Sequence, residues 1–290
     1  MNKKLVCPYC NSQNLKLKRA IISKINKKKY ELFLCTNCKI EFFTPLVFED
    51  VYQTEITKGY SEFHKGRVET PIWTKNLIEI LIKKKINLNE KNILEIGPGD
   101  GINFLALKKV FSKINSENYS IVELDKKSIE VCKKRGINKV YDFLFDSKNS
   151  NKIKEKFDVI IATEVFEHQT NPKEFMEVIF SKLKKDGIVI FTVPNKERFF
   201  LKQKESPEDI PPHHFLRFNK LFFRKNFKKI IYCGEYSYEF KNLIKSSKSI
   251  SYAYFKSYKL WFFFLPISFL LRSLDKIRGE GLIVIFRKNE

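Results

Sequence analysis

The stretch Leu94-Glu95-Ile96-Gly97-Pro98-Gly99-Asp100-Gly101 decides the reading of this chain, because a short apolar strand runs there into three glycines spaced two apart. The next apolar run, Tyr119-Ser120-Ile121-Val122-Glu123-Leu124, carries an acid, Glu123, at its end. Strand, glycine turn, helix, strand, acid is the order in which a doubly wound α/β sheet holds a nucleoside. The glycines let the backbone approach the ligand, and the acid accepts hydrogen bonds from ribose hydroxyls. A dinucleotide fingerprint would need GxGxxG, and Ile102 stands where its third glycine belongs. The turn therefore excludes the usual dinucleotide site.

The sequence around this stretch alternates as a doubly wound sheet should. Strands are expected over 92–96, 119–124, 139–141, 157–162 and 188–193, each an apolar run of the kind buried on both faces. Helices are expected over 102–111, 126–135 and 172–183. The last of these has a marked start, with Asn171 as N-cap, Pro172 at the first helical position and Glu174 two further on. The tetrapeptide Lys184-Lys185-Asp186-Gly187 reads as the turn into the fifth strand. A final run, 282–287, supplies one more strand.

Several marks in this core resemble the class I methyltransferases. An acid before GxGxG, here Glu95, is their pattern for S-adenosylmethionine. Phe157-Asp158-Val159-Ile160-Ile161-Ala162-Thr163-Glu164-Val165-Phe166-Glu167-His168 is similar to their FDxI…EVxEH stretch, Leu183 to Ile188 to their L-K-x-G-G turn, and Phe191-Thr192-Val193-Pro194-Asn195 to their fifth-strand ending. The resemblance covers 93–195 and implies a Rossmann-like sheet of seven strands, with 282–287 as the antiparallel seventh. It also implies an enzyme that binds S-adenosylmethionine. Backbone near Gly97, Gly99 and Gly101 would receive the methionyl part, Glu95 would fix the turn and the ammonium, and Glu123 would take the ribose. Asp142 would accept from the adenine amino group, with Asp146 as its rival, and Thr163 and Glu164 lie at the fourth strand's carboxyl end, where such sheets bind ligands. Glu167-His168 reads as a pair that orders the loop before the next helix.

Cysteines concentrate at the start. Cys7-Pro8-Tyr9-Cys10 and Cys35-Thr36-Asn37-Cys38 are two CxxC knuckles, and two β-prone runs, 15–22 and 30–34, lie between them. Four thiolates so spaced suit a closed tetrahedral zinc site, and the segment reads as a zinc ribbon. Cys132 and Cys233 stand alone in apolar surroundings and read as core thiols. The ribbon, with Phe43-Thr44-Pro45 behind it, resembles the zinc head of methyltransferases encoded among sugar and surface-polysaccharide genes, which implies a sugar or sugar-nucleotide acceptor. The expected organisation is a ribbon over 1–48 and a methyltransferase domain over 49–290. Within the latter, lid and linker helices span 49–90, the cofactor-binding core 91–195, and the substrate loop and C-terminal elements 196–290. A helix is expected over 70–85 with Ile72, Leu77, Ile80 and Leu81 on one face, and His64 and Arg67 before it read as surface residues.

Methyl transfer asks the protein to align a nucleophile and remove its proton. The candidate base lies in Pro211-Pro212-His213-His214-Phe215-Leu216-Arg217-Phe218, which holds two of only four histidines, His213 and His214, in a proline-braced loop after the fifth strand.

The 55 Lys+Arg against 33 Asp+Glu give a net charge of +22, but the lysines are scattered along the whole chain and read as a solvated surface. Nucleic acid is not an expected partner, and a small-molecule acceptor is. The other reading is an RNA- or protein-directed methyltransferase that docks through the ribbon and the basic surface. Thr163-Glu164-Val165-Phe166 stands where base-modifying amino methyltransferases tend to carry an Asn-Pro-Pro-Tyr type of tetrapeptide, which favours the small molecule. The uncharged run 260–271 is too short to span a bilayer and is interrupted by Pro266, so it is expected to be buried or to line a pocket, with peripheral membrane contact as the alternative. Met1-Asn2-Lys3-Lys4 leads into the first knuckle without an apolar leader core, and a cytoplasmic location is the expectation.

Overall fold

Alternation at the start of the chain builds a small antiparallel sheet: β1 (Leu15–Ile22), β2 (Lys29–Cys35) and β3 (Glu41–Thr44). The computed structural model describes residues 4–47, 65–198, 209–236, 247, 251, 252, 254–267, 269, 270, 273 and 279–288. His64 and most of the segment leading to it lie outside the described residues.

The first described helix of the main domain is α1 (Ile72–Lys83), which buries Leu77 and Leu81 completely, as its periodicity predicts. Then follow β4 (Ile93–Ile96), α2 (Ile102–Val110), β5 (Tyr119–Val122), α3 (Lys126–Lys134), β6 (Lys139–Tyr141), β7 (Phe157–Thr163), α4 (Pro172–Lys182) and β8 (Leu183–Pro194). The chain continues through β9 (Leu216–Arg217), α5 (Lys220–Asn226), β10 (Ile230–Tyr236) and β11 (Gly281–Arg287). Seven of these strands form one sheet in the order β10-β11-β8-β7-β4-β5-β6. β11 runs antiparallel between β8 and β10, whereas β4 to β8 pair in parallel. This is the expected Rossmann-like sheet with its reversed last strand.

The start of α4 follows from its sequence: the Asn171 side chain accepts from the Glu174 N–H at 3.3 Å and donates to the Glu174 carboxylate at 2.7 Å. The fifth strand departs from expectation. The stretch read as a turn, Lys184 to Gly187, is absorbed into β8 as an irregularity, with Leu183 paired to Phe157 and Ile188 already paired to Val159. Asp186 takes a φ of 59° there, which lets the chain kink without leaving the sheet.

Apolar side chains pack on both faces of the sheet. One face is closed by Leu77, Leu81, Phe104, Leu107 and Cys132 from the three helices α1 to α3. The other carries Phe166, Phe175, Phe191 and Phe286, and its cluster runs without a break into Tyr30, Leu32, Phe42 and Phe43 of the ribbon. The ribbon is thus seated on the sheet rather than tethered beside it. β9 adds a fourth strand to the ribbon's sheet, pairing Phe42 with Leu216 and Glu41 with Arg217.

The expected burial of 260–271 does not occur among the described residues. Phe262, Phe263, Phe269 and Leu270 are each more than half exposed, and Tyr254, Phe255 and Tyr258 extend the apolar surface. No helix among the described residues is long and apolar enough to cross a membrane.

Candidate cofactor and acceptor site

At the carboxyl ends of β4, β5 and β7 lies a cavity of about 340 Å³, within the size range of small-molecule sites. Gly97, Pro98 and Gly99 form its floor, Glu123 one side, and Thr163, Glu164 and His168 the far side. Gly97, Gly99 and Gly101 all have positive φ (63°, 56° and 70°), so the turn folds back tightly and leaves backbone facing the opening. Gly101 does not reach the cavity and instead caps α2.

Glu123 braces the turn it faces. Its carboxylate accepts from the N–H groups of Gly99 at 3.1 Å, Leu124 at 2.7 Å and Asp125 at 3.0 Å. Behind the turn, the Cys132 thiol donates to the Gly99 carbonyl at 3.2 Å, a contact that an isolated cysteine in an apolar run does not announce.

Glu95 does not reach the cavity. It is fully buried and accepts from Tyr119 Oη and Asn103 Nδ2, both at 2.6 Å. Asn103 in turn donates to Thr163 Oγ1 at 2.9 Å, so the acid ties α2 to the ends of β4 and β7. Burial pushes the Glu95 carboxyl up to about 7. Because the folded state then holds the proton more tightly than the unfolded chain, this group's stabilisation is full below about pH 4.5 and is lost as pH rises towards 7. Glu95→Gln should therefore flatten the loss of stability between pH 5 and 7.5, removing a component of up to about 3 kcal/mol. Thermal melts of both proteins at the two pH values check this, and parallel pH profiles would refute it.

Asp142 is exposed and does not line the cavity; the chain turns after β6 so that Phe143 to Asp146 run along the wall, and Asp146 takes the place expected for Asp142. Arg67 also departs from its expected surface role. Its backbone N–H, Nε and Nη2 all donate to Asp100, at 2.6, 3.1 and 2.8 Å, and its guanidinium lies over the Trp73 ring. Arg67 and Trp73 both line the cavity, and Arg135 donates to the Arg67 carbonyl at 2.7 Å, closing the clamp. Asp100, one residue past the second glycine, is the legible half of that pair.

On the far side, His168 and not His213 or His214 reaches the cavity wall. His213 contributes its carbonyl, which accepts from Nδ1 of His168 at 2.7 Å. His214 stands behind His168, the rings edge to face at 4.7 Å, between Asp209 and Glu167. Burial, assisted by His214, pushes His168 down to about 3, so it is neutral at ordinary pH. Of the pair Glu167-His168, read from the sequence as an ordering device, His168 lines the polar end of the cavity and Glu167 is buried behind it, its carbonyl accepting from the Phe215 N–H at 2.9 Å.

In the ribbon, Sγ of Cys7 lies 3.5 Å from that of Cys38, and Sγ of Cys10 lies 3.6 Å from that of Cys35. All four sulfurs fall within 4.8 Å of one another, and none is in a disulfide. Tetrahedral zinc with bonds of about 2.3 Å separates its sulfurs by about 3.8 Å, so the donor set fits that ion in kind and in spacing.

Comparison with known proteins agrees with this geometry. A family described as methyltransferase domain matches residues 70–230, more than half of the chain. Malonyl-[acyl-carrier protein] O-methyltransferase 2 of Ilyobacter polytropus is 28% identical over 42% of this chain and 46% of its own length. The mitochondrial ubiquinone biosynthesis O-methyltransferase of Schizosaccharomyces pombe is 26% identical over 35% of this chain and 37% of its own. The chain thus spans less than half the length of these curated relatives. Among solved structures, the plantazolicin methyltransferase BamL, in complex with a triazolic desmethylPZN analog and SAH, covers 82% of this chain and 93% of its own. Its TM-score is 0.50 at 15% identity, a likeness of fold. With its glycine turn, its acid at the end of β5 and its reversed last strand, the chain belongs to the methyltransferase-domain family of Rossmann-like, S-adenosylmethionine-dependent enzymes.

Proposed function

We propose that the protein transfers the methyl group of S-adenosylmethionine to a small-molecule acceptor, a sugar or sugar nucleotide of surface-polysaccharide synthesis, with a structural zinc ion held by Cys7, Cys10, Cys35 and Cys38. The observation that carries the first part is the single cavity shared by the glycine turn, Glu123 and the Glu164–His168 wall. A nucleoside held by the first two presents its sulfonium methyl towards the third. The ribbon supports the sugar reading, because it resembles the zinc heads of enzymes from that chemistry and is seated on the loop that backs the acceptor wall. The exposed apolar surface from Tyr254 to Leu270, with Lys256 and Lys259 inside it, supports peripheral contact with the cytoplasmic membrane face and an acceptor carried on a lipid.

The test is transfer of labelled methyl from S-adenosylmethionine to a panel of sugar nucleotides, an acyl-carrier-protein thioester and a prenylated phenol. Labelled sugar nucleotide is the expected product. Label appearing only in the thioester or the phenol overturns the sugar reading, and label in none of them, with no cofactor bound, overturns methyl transfer.

Two substitutions grade the roles. Glu123→Ala should weaken S-adenosylmethionine binding by about 1–3 kcal/mol through lost charged hydrogen bonds, read by calorimetry. His168→Ala should slow single-turnover transfer by about a hundredfold or more, while cofactor affinity hardly changes. If His213→Ala or His214→Ala is the slower variant and His168→Ala transfers at the wild-type rate, the proton is handled from the loop as the sequence suggests and not at the wall.

A further inference from the structure

The polar end of the cavity holds more than methyl transfer from a sulfonium needs. Glu167 is 1% exposed, and neither of its carboxylate oxygens has a hydrogen-bond partner. Nε2 of His214 is 3.9 Å from Oε1, beyond hydrogen-bonding distance. A second acid, Glu164, stands close by, but its Oε1 already accepts from Thr192 at 2.9 Å and Tyr236 at 3.3 Å. A buried carboxylate without donors costs several kcal/mol, so this place needs a proton or a cation.

The imidazoles distinguish the two. A carbonyl can only accept, so Nδ1 of His168 carries the proton that it donates to His213, and its Nε2 keeps a lone pair. Nδ1 of His214 faces the Asp209 carboxylate at 3.6 Å, which leaves its Nε2 turned to Glu167. Asp209 is itself held by Arg198. Ligand atoms of Glu167, His168 and His214 all lie within 4.8 Å of one another. A carbonyl or carboxylate behind each imidazole, fixing its tautomer and aim, is how proteins prepare histidines for metal.

We propose that Glu167, His168 and His214 form a mononuclear site for a divalent first-row transition metal at the acceptor end of the cavity, open on the side of the cavity. Two imidazoles and one carboxylate suit manganese, iron, cobalt or zinc better than magnesium or calcium. The inference rests on the cavity being the methyl-transfer site. There the ion would bind an acceptor hydroxyl and lower its pKa. The hydroxyl proton goes to solvent, an oxygen lone pair forms the bond to the methyl carbon, and the pair of the broken S–C bond stays on sulfur as neutral thioether. His168 and His214 are then ligands and not bases.

The test uses the full chain with its ribbon zinc in place, stripped of loosely held metal on a chelating resin and titrated with Mn²⁺, the free ion read by electron paramagnetic resonance. Wild-type protein should quench the free-ion signal with one class of site. Glu167→Gln and His214→Gln should each weaken it at least about tenfold, and Asp209→Asn by about 10–100-fold, with zinc content by mass spectrometry unchanged. Thermal melting identifies the folded variants, and the Asp209 variant, which keeps all three ligands, carries the test if a ligand variant misfolds. An unquenched signal overturns the proposal, as does binding that survives undiminished in folded variants. So does a Glu167→Gln protein that is more stable than wild type while neither binds Mn²⁺, because the carboxyl then simply holds a proton. The readout is metal and not turnover, so failure of every methyl acceptor would refute the activity and leave this result standing.

Discussion

Gly99→Val is expected to abolish binding of S-adenosylmethionine and of its demethylated product. Gly99 sits at φ 56°, where a β-branched residue is a genuine outlier, and it lines the cavity floor. Its N–H donates to Glu123 and its carbonyl accepts from Cys132, so a shift that relieved the strain would break both contacts. Strain of about 1–3 kcal/mol, a lost charged hydrogen bond and a side chain in the ligand's path together predict a loss of more than roughly a hundredfold. Gly97→Val is more severe still, since a Cβ there would lie 2.7 Å from Cγ2 of Val165. Gly136→Ala is the control: its φ is 91° but nothing lies within 4 Å of an added Cβ, so stability should fall while affinity holds. Calorimetry with S-adenosylhomocysteine and with NAD decides. A Gly99→Val protein that binds within tenfold of wild type, or a wild type that prefers NAD, removes the basis for reading this turn as a methyltransferase site.

What could be read from the sequence was what local pattern determines. The strands of the central sheet are apolar runs that alternate with helices, which marks a doubly wound sheet, whereas the reversed last strand followed from the resemblance and the strand order from the structure. The N-cap at Asn171 and the glycine turn are equally local. The cavity wall was less legible, because it is assembled from distant parts. Asp142 and Asp146 differ by one turn of loop, and only the path after β6 shows that the second faces inward. Arg67 reads as an exposed cation until Asp100 and Trp73 are folded beside it. Glu95 sits before the glycines as a ligand-binding acid would, yet Tyr119 and Asn103 occupy its carboxylate. The histidine loop was located correctly after the fifth strand, but its backbone meets His168, and His168 meets the cavity. The apolar run near Phe262 shows the limit of composition: greasy residues are more often inside, and here Phe262, Phe263, Ile267, Phe269 and Leu270 are exposed while Leu260, Trp261, Phe264 and Leu265 are half-buried.

Loss of the zinc proposed for Cys7, Cys10, Cys35 and Cys38 is expected to disorder the acceptor side of the site and leave the cofactor side intact. Cys7→Ser replaces a thiolate with a hydroxyl in a set where all four donors belong to the protein and none is spare. Structural zinc in such small modules contributes about 10–16 kcal/mol of apparent binding free energy at neutral pH, which is also the module's folding energy. The consequence reaches beyond the ribbon because of what it touches. The Phe43 N–H donates to the Phe215 carbonyl at 2.8 Å, Ser23 Oγ to the Pro211 carbonyl at 2.8 Å, and Asn226 Nδ2 to the Cys38 carbonyl at 2.9 Å. Glu41 pairs with both Lys196 and Arg217. The loop so held carries the His213 carbonyl that orients His168. No ribbon residue among those described lines the cavity. The variant should therefore lose its zinc by mass spectrometry and lose hydrogen-exchange protection at Phe43 and Phe215, with slower methyl transfer and nearly unchanged S-adenosylhomocysteine affinity. A Cys7→Ser protein that keeps full zinc and full protection at β9 would show that the four thiols do not form the metal site. One that loses zinc but keeps both protection and rate would show that packing of Tyr30, Phe42 and Phe43 against the sheet suffices to hold the loop.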